Sequence, residues 1–163
     1  MTEPVKATAA DALKLMRAIS ARTQEFKQLV ESLWELGQMG PTAVPPLLDA
    51  VADQSESPFT RTWALYLVEE NGGLGLKGTR EVLLANLADP NPAVRRASLR
   101  GLGHLGDASL VPLIAPYLDD HGVDVDSWWE DDCTVAHAAA AALRSIGTTE
   151  ALQSLEGHGG AGA

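Results

Sequence analysis

One helical pattern occurs more than once in this chain, and that recurrence limits its folds more than any other feature. Val94–Gly106 (VRRASLRGLGHLG) realigns with Val135–Gly147 (VAHAAAAALRSIG) at an offset of 41 residues. Val94, Ala97, Leu102, Leu105 and Gly106 fall on Val135, Ala138, Leu143, Ile146 and Gly147. The apolar matches sit at i, i+3, i+8 and i+11, one face of a helix. The closing glycine is a helix stop, since glycine takes the left-handed cap conformation without a Cβ clash. A looser copy lies at Thr60–Gly72, offset by 34, where Arg61 falls on Arg95, Val68 on Leu102 and Pro58 on Pro92. A fourth helix of this type carries Phe26, Leu29, Val30, Leu33 and Leu36 and stops at Gly37.

A second, shorter helix type alternates with the first. Gly37–Leu48 resembles Gly106–Ile114, and in each a Val-Pro pair falls in the first helical turn, where proline's missing N–H costs little. Asp89-Pro90-Asn91-Pro92 stops one helix and starts the next. The chain therefore reads as helix pairs at about 8–36, 42–71, 77–105 and 109–146, within one domain over 1–156 and with a flexible tail at 157–163. A helix pair cannot bury its apolar face alone, and stacked pairs build a continuous core. The expected fold is an all-α solenoid, a right-handed superhelix of about four pairs. Composition agrees: aromatics are 5% and hydrophobic residues 45%, which suits helices packed through Ala and Leu better than a β-sandwich.

The residues from Asp89-Pro90 through Val94-Arg95 to Leu102-Gly103-His104-Leu105-Gly106-Asp107 look like a HEAT repeat. They are most similar to the short bacterial kind named after phycobilisome lyases, with an Asp-Pro-x-x-x-Val-Arg start and a Leu-Gly-x-Leu/Ile-Gly-Asp end. The resemblance covers most of Phe26 to Leu152 and implies a scaffold or adaptor; fold alone does not fix function. It also implies that the second helix of each pair lines a concave face. Off-stripe residues there are Trp34, Tyr66, Arg96, Arg100 and His104, with Glu31, Glu69, His137 and Arg144 beside them. Trp34 and Tyr66 flanked by Arg96 and Arg100 suit the grip of a partner peptide or helix; the plainer alternative is packing between repeats. Arg61 and Arg95 match a family arginine that pairs with an acidic residue near the preceding turn, such as Asp89. That makes them a structural ladder, ended by Ala136.

Enzymatic relatives fit less well. Deoxyhypusine hydroxylases carry iron-binding His-Glu pairs, and this chain has no His-Glu dipeptide. HEAT-like alkylpurine glycosylases use a basic groove, whereas this chain has a formal net charge of −10, a field that repels phosphate backbones. A bilin-lyase-like subunit, enzyme or chaperone, stays open as an alternative.

The last pair departs from the pattern. Fourteen residues separate Leu118 from Cys133, and most of Asp119–Trp129 is an insertion. This stretch, 119–132, holds seven carboxylates, no Lys or Arg, and Trp128 and Trp129; the remaining chain has 15 acidic and 12 basic residues. Trp128 and Trp129 beside Asp124, Asp126, Glu130, Asp131 and Asp132 make a docking site for a basic protein partner, or else a cap on the open end of the solenoid. Calcium or magnesium would tolerate so many oxygen ligands, but Asp124-x-Asp126 lacks the third ligand and glycine of an EF-hand, and His121 and His137 lack zinc-motif spacing. No metal and no cofactor is expected.

Other nucleophile and phosphate motifs are missing. Cys133, the single cysteine, excludes a disulfide framework, and surrounding carboxylates oppose its thiolate. There is no Gly-x-Ser-x-Gly elbow, and Asn71–Gly78 lacks P-loop spacing, reading as a flexible link between pairs. No apolar run is long enough to cross a membrane and Met1–Ala10 has no signal-peptide pattern, so a cytoplasmic protein is expected. The expected function is non-enzymatic protein binding as a small adaptor or scaffold subunit, with an immunity-type inhibitor of a basic enzyme as the sharper variant.

Overall fold

The structure is a computed structural model that describes residues 8–20, 39–123 and 134–159. Helices and turns make up the described residues, with no strand among them. They form two compact units divided between Thr79 and Arg80. The expected helix at 23–36, with its apolar stripe, lies outside the described residues.

The first unit is built on α1 (Ala9–Ser20), α2 (Val44–Ala52) and α3 (Pro58–Glu70). Thr8 starts α1: its hydroxyl accepts from the Asp11 N–H, while its own N–H donates to the Asp11 carboxylate at 2.9 Å. The Thr8 hydroxyl also donates to that carboxylate at 2.7 Å, and this bond first, with the one from the Thr8 N–H, holds the Asp11 carboxyl below the ordinary aspartate range. A 3-10 turn at Pro41–Ala43 leads into α2, whose Pro45 sits in the first turn as the sequence predicts. Ser57 caps α3 by accepting from the Thr60 N–H at 3.1 Å, and Pro58 follows at the first helical position. The core joins Met16 of α1, Val44, Leu47 and Val51 of α2, and Ala64, Leu65 and Val68 of α3. Met16, Leu47 and Val51 are fully shielded from solvent.

Asn71–Gly78, expected as a flexible link, is a series of hydrogen-bonded turns that runs up to the division between the two units. Buried Asn71 donates to the Leu67 carbonyl at 2.8 Å and accepts from the Gly40 N–H at 2.6 Å, tying the end of α3 to the turn before α2. The buried Thr79 hydroxyl donates to the Gly73 carbonyl at 2.7 Å. With these polar groups satisfied internally, the turn is part of the fold.

The second unit contains the rest of α4 (Thr79–Ala85), then α5 (Pro92–Leu105), α6 (Val111–Ile114), α7 (Val135–Ile146) and α8 (Thr149–Gly159). Short 3-10 turns extend α4 through Asn86–Ala88 and flank α6 at Ala108–Leu110 and Ala115–Asp119. The first-type helices run close to their expected bounds. Asn91 caps α5 and Thr134 caps α7, and both end on a left-handed glycine, Gly106 at φ 65° and Gly147 at φ 68°. Their apolar faces, Val94, Leu99 and Leu102 on α5 and Val135, Ala139 and Leu143 on α7, are fully buried. α7 packs along α5, and the crossing is tight at one point. A Cβ on Gly103 would stand 2.6 Å from Ala142 Cα, so only glycine lets the two helices approach this closely.

Two features differ from the sequence reading. α7 begins at Val135, not Cys133, because the Thr134 hydroxyl takes the His137 N–H and sets the start. Helix α8 was not expected, and it takes in Gly157, His158 and Gly159, residues the sequence placed in a tail. α8 packs on α7 and on Ala115–Asp119, burying Ala151 completely.

Candidate functional site

The insertion leaves the second unit at a base built from four elements. Arg95, in the first turn of α5, donates from Nε and Nη2 to the two carboxylate oxygens of Asp120 at 2.9 and 3.1 Å. Its remaining nitrogen, Nη1, donates to the Asp89 and Pro90 carbonyls at 2.8 and 3.0 Å. The sequence expectation is thereby corrected: Arg95 meets Asp89 through its backbone carbonyl, and its carboxylate partner lies in the next pair. The reason is geometric. A planar guanidinium binds a carboxylate two-pronged and still has a donor for the turn behind it.

Asp120 passes this anchor on to α7. Its carbonyl accepts from the Ala136 N–H at 2.7 Å, and the Gly122 carbonyl accepts from the Val135 N–H at 3.0 Å. Two orphan donors of the α7 first turn are satisfied in this way. Residues 120–122, at the start of the insertion, and 134–136, after it, are therefore held together. Burial works to raise the Asp120 carboxyl, but the bonds from Arg95 and from the Gly122 N–H outweigh it and hold it below the usual carboxylate range.

Asp124, Asp126, Trp128, Trp129, Glu130, Asp131, Asp132 and Cys133 lie outside the described residues, as does Trp34. Of the remaining expected site residues, Tyr66 belongs to the first unit and Arg96, Arg100 and His104 to the second. Tyr66 is half-buried and stands edge-on to Trp63, ring centroids 5.7 Å apart at 76°, while Trp63 lies 6.1 Å from Phe59. Phe59, Trp63 and Tyr66 form an aromatic row at i, i+4 and i+7 along α3, with pair geometry that favours packing. Phe59 and Trp63 were not expected at the site, although their spacing with Tyr66 is the signal that finds them.

Arg96, Arg100 and His104 sit at i, i+4 and i+8 on α5 and share one face. Arg100 and His104 are exposed and Arg96 is half-exposed. Exposed on α7 are His137, Ala141, Arg144 and Ser145. Neither helix contains an Asp or Glu. Two carboxylates of the second unit stand in turns. Asp107 accepts from the Ser109 N–H and pairs with Arg80 at 3.5 Å, and its carboxyl is held low by those Ser109 bonds first and Arg80 second. Asp119 meets the His158 ring at 3.5 Å. Among the described residues, no three His, Cys, Asp or Glu side chains converge as metal ligands, and no helix is long and apolar enough to cross a membrane.

Residues 80–160 match the family model described as HEAT repeats. No curated protein matches the chain. The matched stretch takes in the paired helices, their glycine stops and the arginine anchor just described, and the chain is accordingly an all-α HEAT-repeat protein of the α-solenoid class.

Proposed function

We propose that this protein is a non-enzymatic adaptor or scaffold subunit of the cytoplasm that binds a protein partner. HEAT repeats are generally protein-interaction modules, which supports the coarse reading. The observation that carries the finer one is the insertion's anchored base. Arg95, Asp120 and the first turn of α7 are bonded to one another, which brings together the residues that flank 124–133, and long connections fixed at their base often carry recognition. With Trp128, Trp129 and five carboxylates in 124–132, it suits a basic protein surface: the charges steer encounter and the tryptophans supply contact energy. A basic enzyme held by an immunity-type inhibitor is one such partner, and the concentration of carboxylates favours it as the second reading.

The test is capture of a partner from the native host by wild-type protein, by Trp128→Ala/Trp129→Ala and by Arg96→Ala/Arg100→Ala, each checked for fold by circular dichroism. One partner lost with the tryptophan variant and retained by the arginine variant supports docking on the insertion. Retention by both variants contradicts both surfaces, and visible absorbance co-purifying with the wild type favours a bilin-binding role instead.

A further inference from the structure

We infer that two histidines make the frame of the insertion sensitive to pH: His137 fixes its exit while neutral, and His158 fixes its entry while charged. Donor and acceptor roles assign these states. The Thr134 backbone N–H can only donate, and it meets His137 Nδ1 at 3.2 Å. That nitrogen therefore carries a lone pair, and the ring proton is on Nε2. His158 is the reverse case. Its Nδ1 stands 2.9 Å from the Ser154 carbonyl, which can only accept, and its Nε2 stands 3.5 Å from the Asp119 carboxylate. Both ring nitrogens face acceptors, so the ring that satisfies both is the doubly protonated one. Helix position favours the same pair of states. His137 lies in the first turn of α7, where a positive charge is opposed, and His158 in the last turn of α8, where it is favoured.

His137 occupies the place in a capping box that glutamate or glutamine fills elsewhere. Those side chains accept at any pH near neutrality, whereas an imidazole stops accepting at Nδ1 once it takes a second proton. The other half of the box, from the His137 N–H to the Thr134 hydroxyl, does not use the ring. Acidification thus frees the Thr134 N–H, just after the insertion, and completes the pair at Asp119, where the insertion begins. The elements packed against α7 carry Arg95, Arg96, Arg100 and His104 on α5, Tyr117 and Asp119 on the 115–119 turn, and Glu150, Glu156 and His158 on α8; α6 has no ionisable group. Those packed against α8 carry His137 and Arg144 on α7, with Tyr117 and Asp119 on the turn. His121 adds its charge beside Asp120 when protonated. The Arg95–Asp120 anchor does not change with the histidines, because the Asp120 carboxyl is held below the usual carboxylate range.

The test is amide hydrogen exchange on the full chain between about pH 8 and about pH 5, the span over which imidazole titrates. Each rate is expressed relative to an unstructured peptide at the same pH. On acidification the Thr134 amide should lose protection roughly fivefold, the scale of one cap bond. Amides at 156–159 should gain about twofold, the scale of an exposed ion pair. His137→Gln supplies an acceptor that does not titrate and should keep Thr134 protected throughout; His137→Ala should leave it unprotected throughout. His137 is exposed, so neither substitution disturbs the core. Asp119→Asn should abolish the response at 156–159. Imidazole nitrogen shifts on the same samples read the ring protons, and at the alkaline end His137 should carry its proton on Nε2. Thr134 protection that stays constant in the wild type, or falls equally in His137→Gln, overturns the inference. So does a His137 proton on Nδ1 at the alkaline end, and so does protection at 156–159 that fails to rise on acidification.

Discussion

Gly103 has one role that the repeat shows and another that it hides. The sequence places it within Leu102-Gly103-His104-Leu105-Gly106, where glycines mark the end of a helix, and Gly106 does end α5 with a left-handed φ of 65°. Gly103 itself is helical. It is needed because Ala142, 39 residues further on, would meet any side chain there. No local pattern reports such a contact, since it depends on how two helices cross. Gly103→Ala should therefore destabilise the protein by about 1–3 kcal/mol through overpacking, measured by urea unfolding. Adding Ala142→Gly should recover part of the loss. Arg95 was legible as a structural arginine by its place in the repeat, but its carboxylate partner was not, because Asp120 stands in a segment that departs from the repeat. Its folded carboxyl lies below the unfolded value, so the stability it contributes is complete above the ordinary carboxylate range, near pH 4, and is lost as pH falls through the folded value. Arg95→Ala should raise the Asp120 carboxyl, shift acid unfolding to higher pH and speed amide exchange at Val135 and Ala136. A carboxylate NMR titration with hydrogen exchange reads all three effects, and an unmoved Asp120 would contradict the anchor.

Elements whose caps and stripe agree were readable from sequence; those fixed by packing alone were not. α3 and α5 have a cap side chain, proline at the first position and a buried face, and they run within a residue of their expected ends. α7 was placed two residues early because Cys133 precedes the true cap, Thr134, whose bond to the His137 N–H decides the start. His137 returns the contact, its Nδ1 accepting from the Thr134 N–H at 3.2 Å. Thr134→Ala should cost about 0.5–2 kcal/mol and Thr134→Ser much less, again by urea unfolding; equal effects of the two would argue against the cap. α8 has the opposite character. Leu152 is exposed, Ala151 alone is buried among its apolar residues by a wide margin, and its last turn holds two glycines. A helix with so thin a stripe is held by α7 and by Ala115–Asp119, neither of which is visible in its own sequence.

At the level of the whole chain, charge carries more functional information than fold. The repeat establishes helix pairs, and residues 80–160 match HEAT repeats, but that architecture serves many roles. Charge is unevenly placed along the chain: seven carboxylates fall in 119–132, while α5 and α7 carry cations and no Asp or Glu of their own. The first was legible as an interruption of the repeat. The second was legible from the sequences of the two helices, and the structure adds that these helices pack together. The central claim is that the protein works by binding another protein through these charged features. Its most direct test is partner capture by the wild-type chain alongside Trp128→Ala/Trp129→Ala and Arg96→Ala/Arg100→Ala/Arg144→Ala, with folding verified for each. The account predicts one stoichiometric protein partner that the wild type holds and at least one folded variant releases. A partner held equally by all three proteins would contradict it.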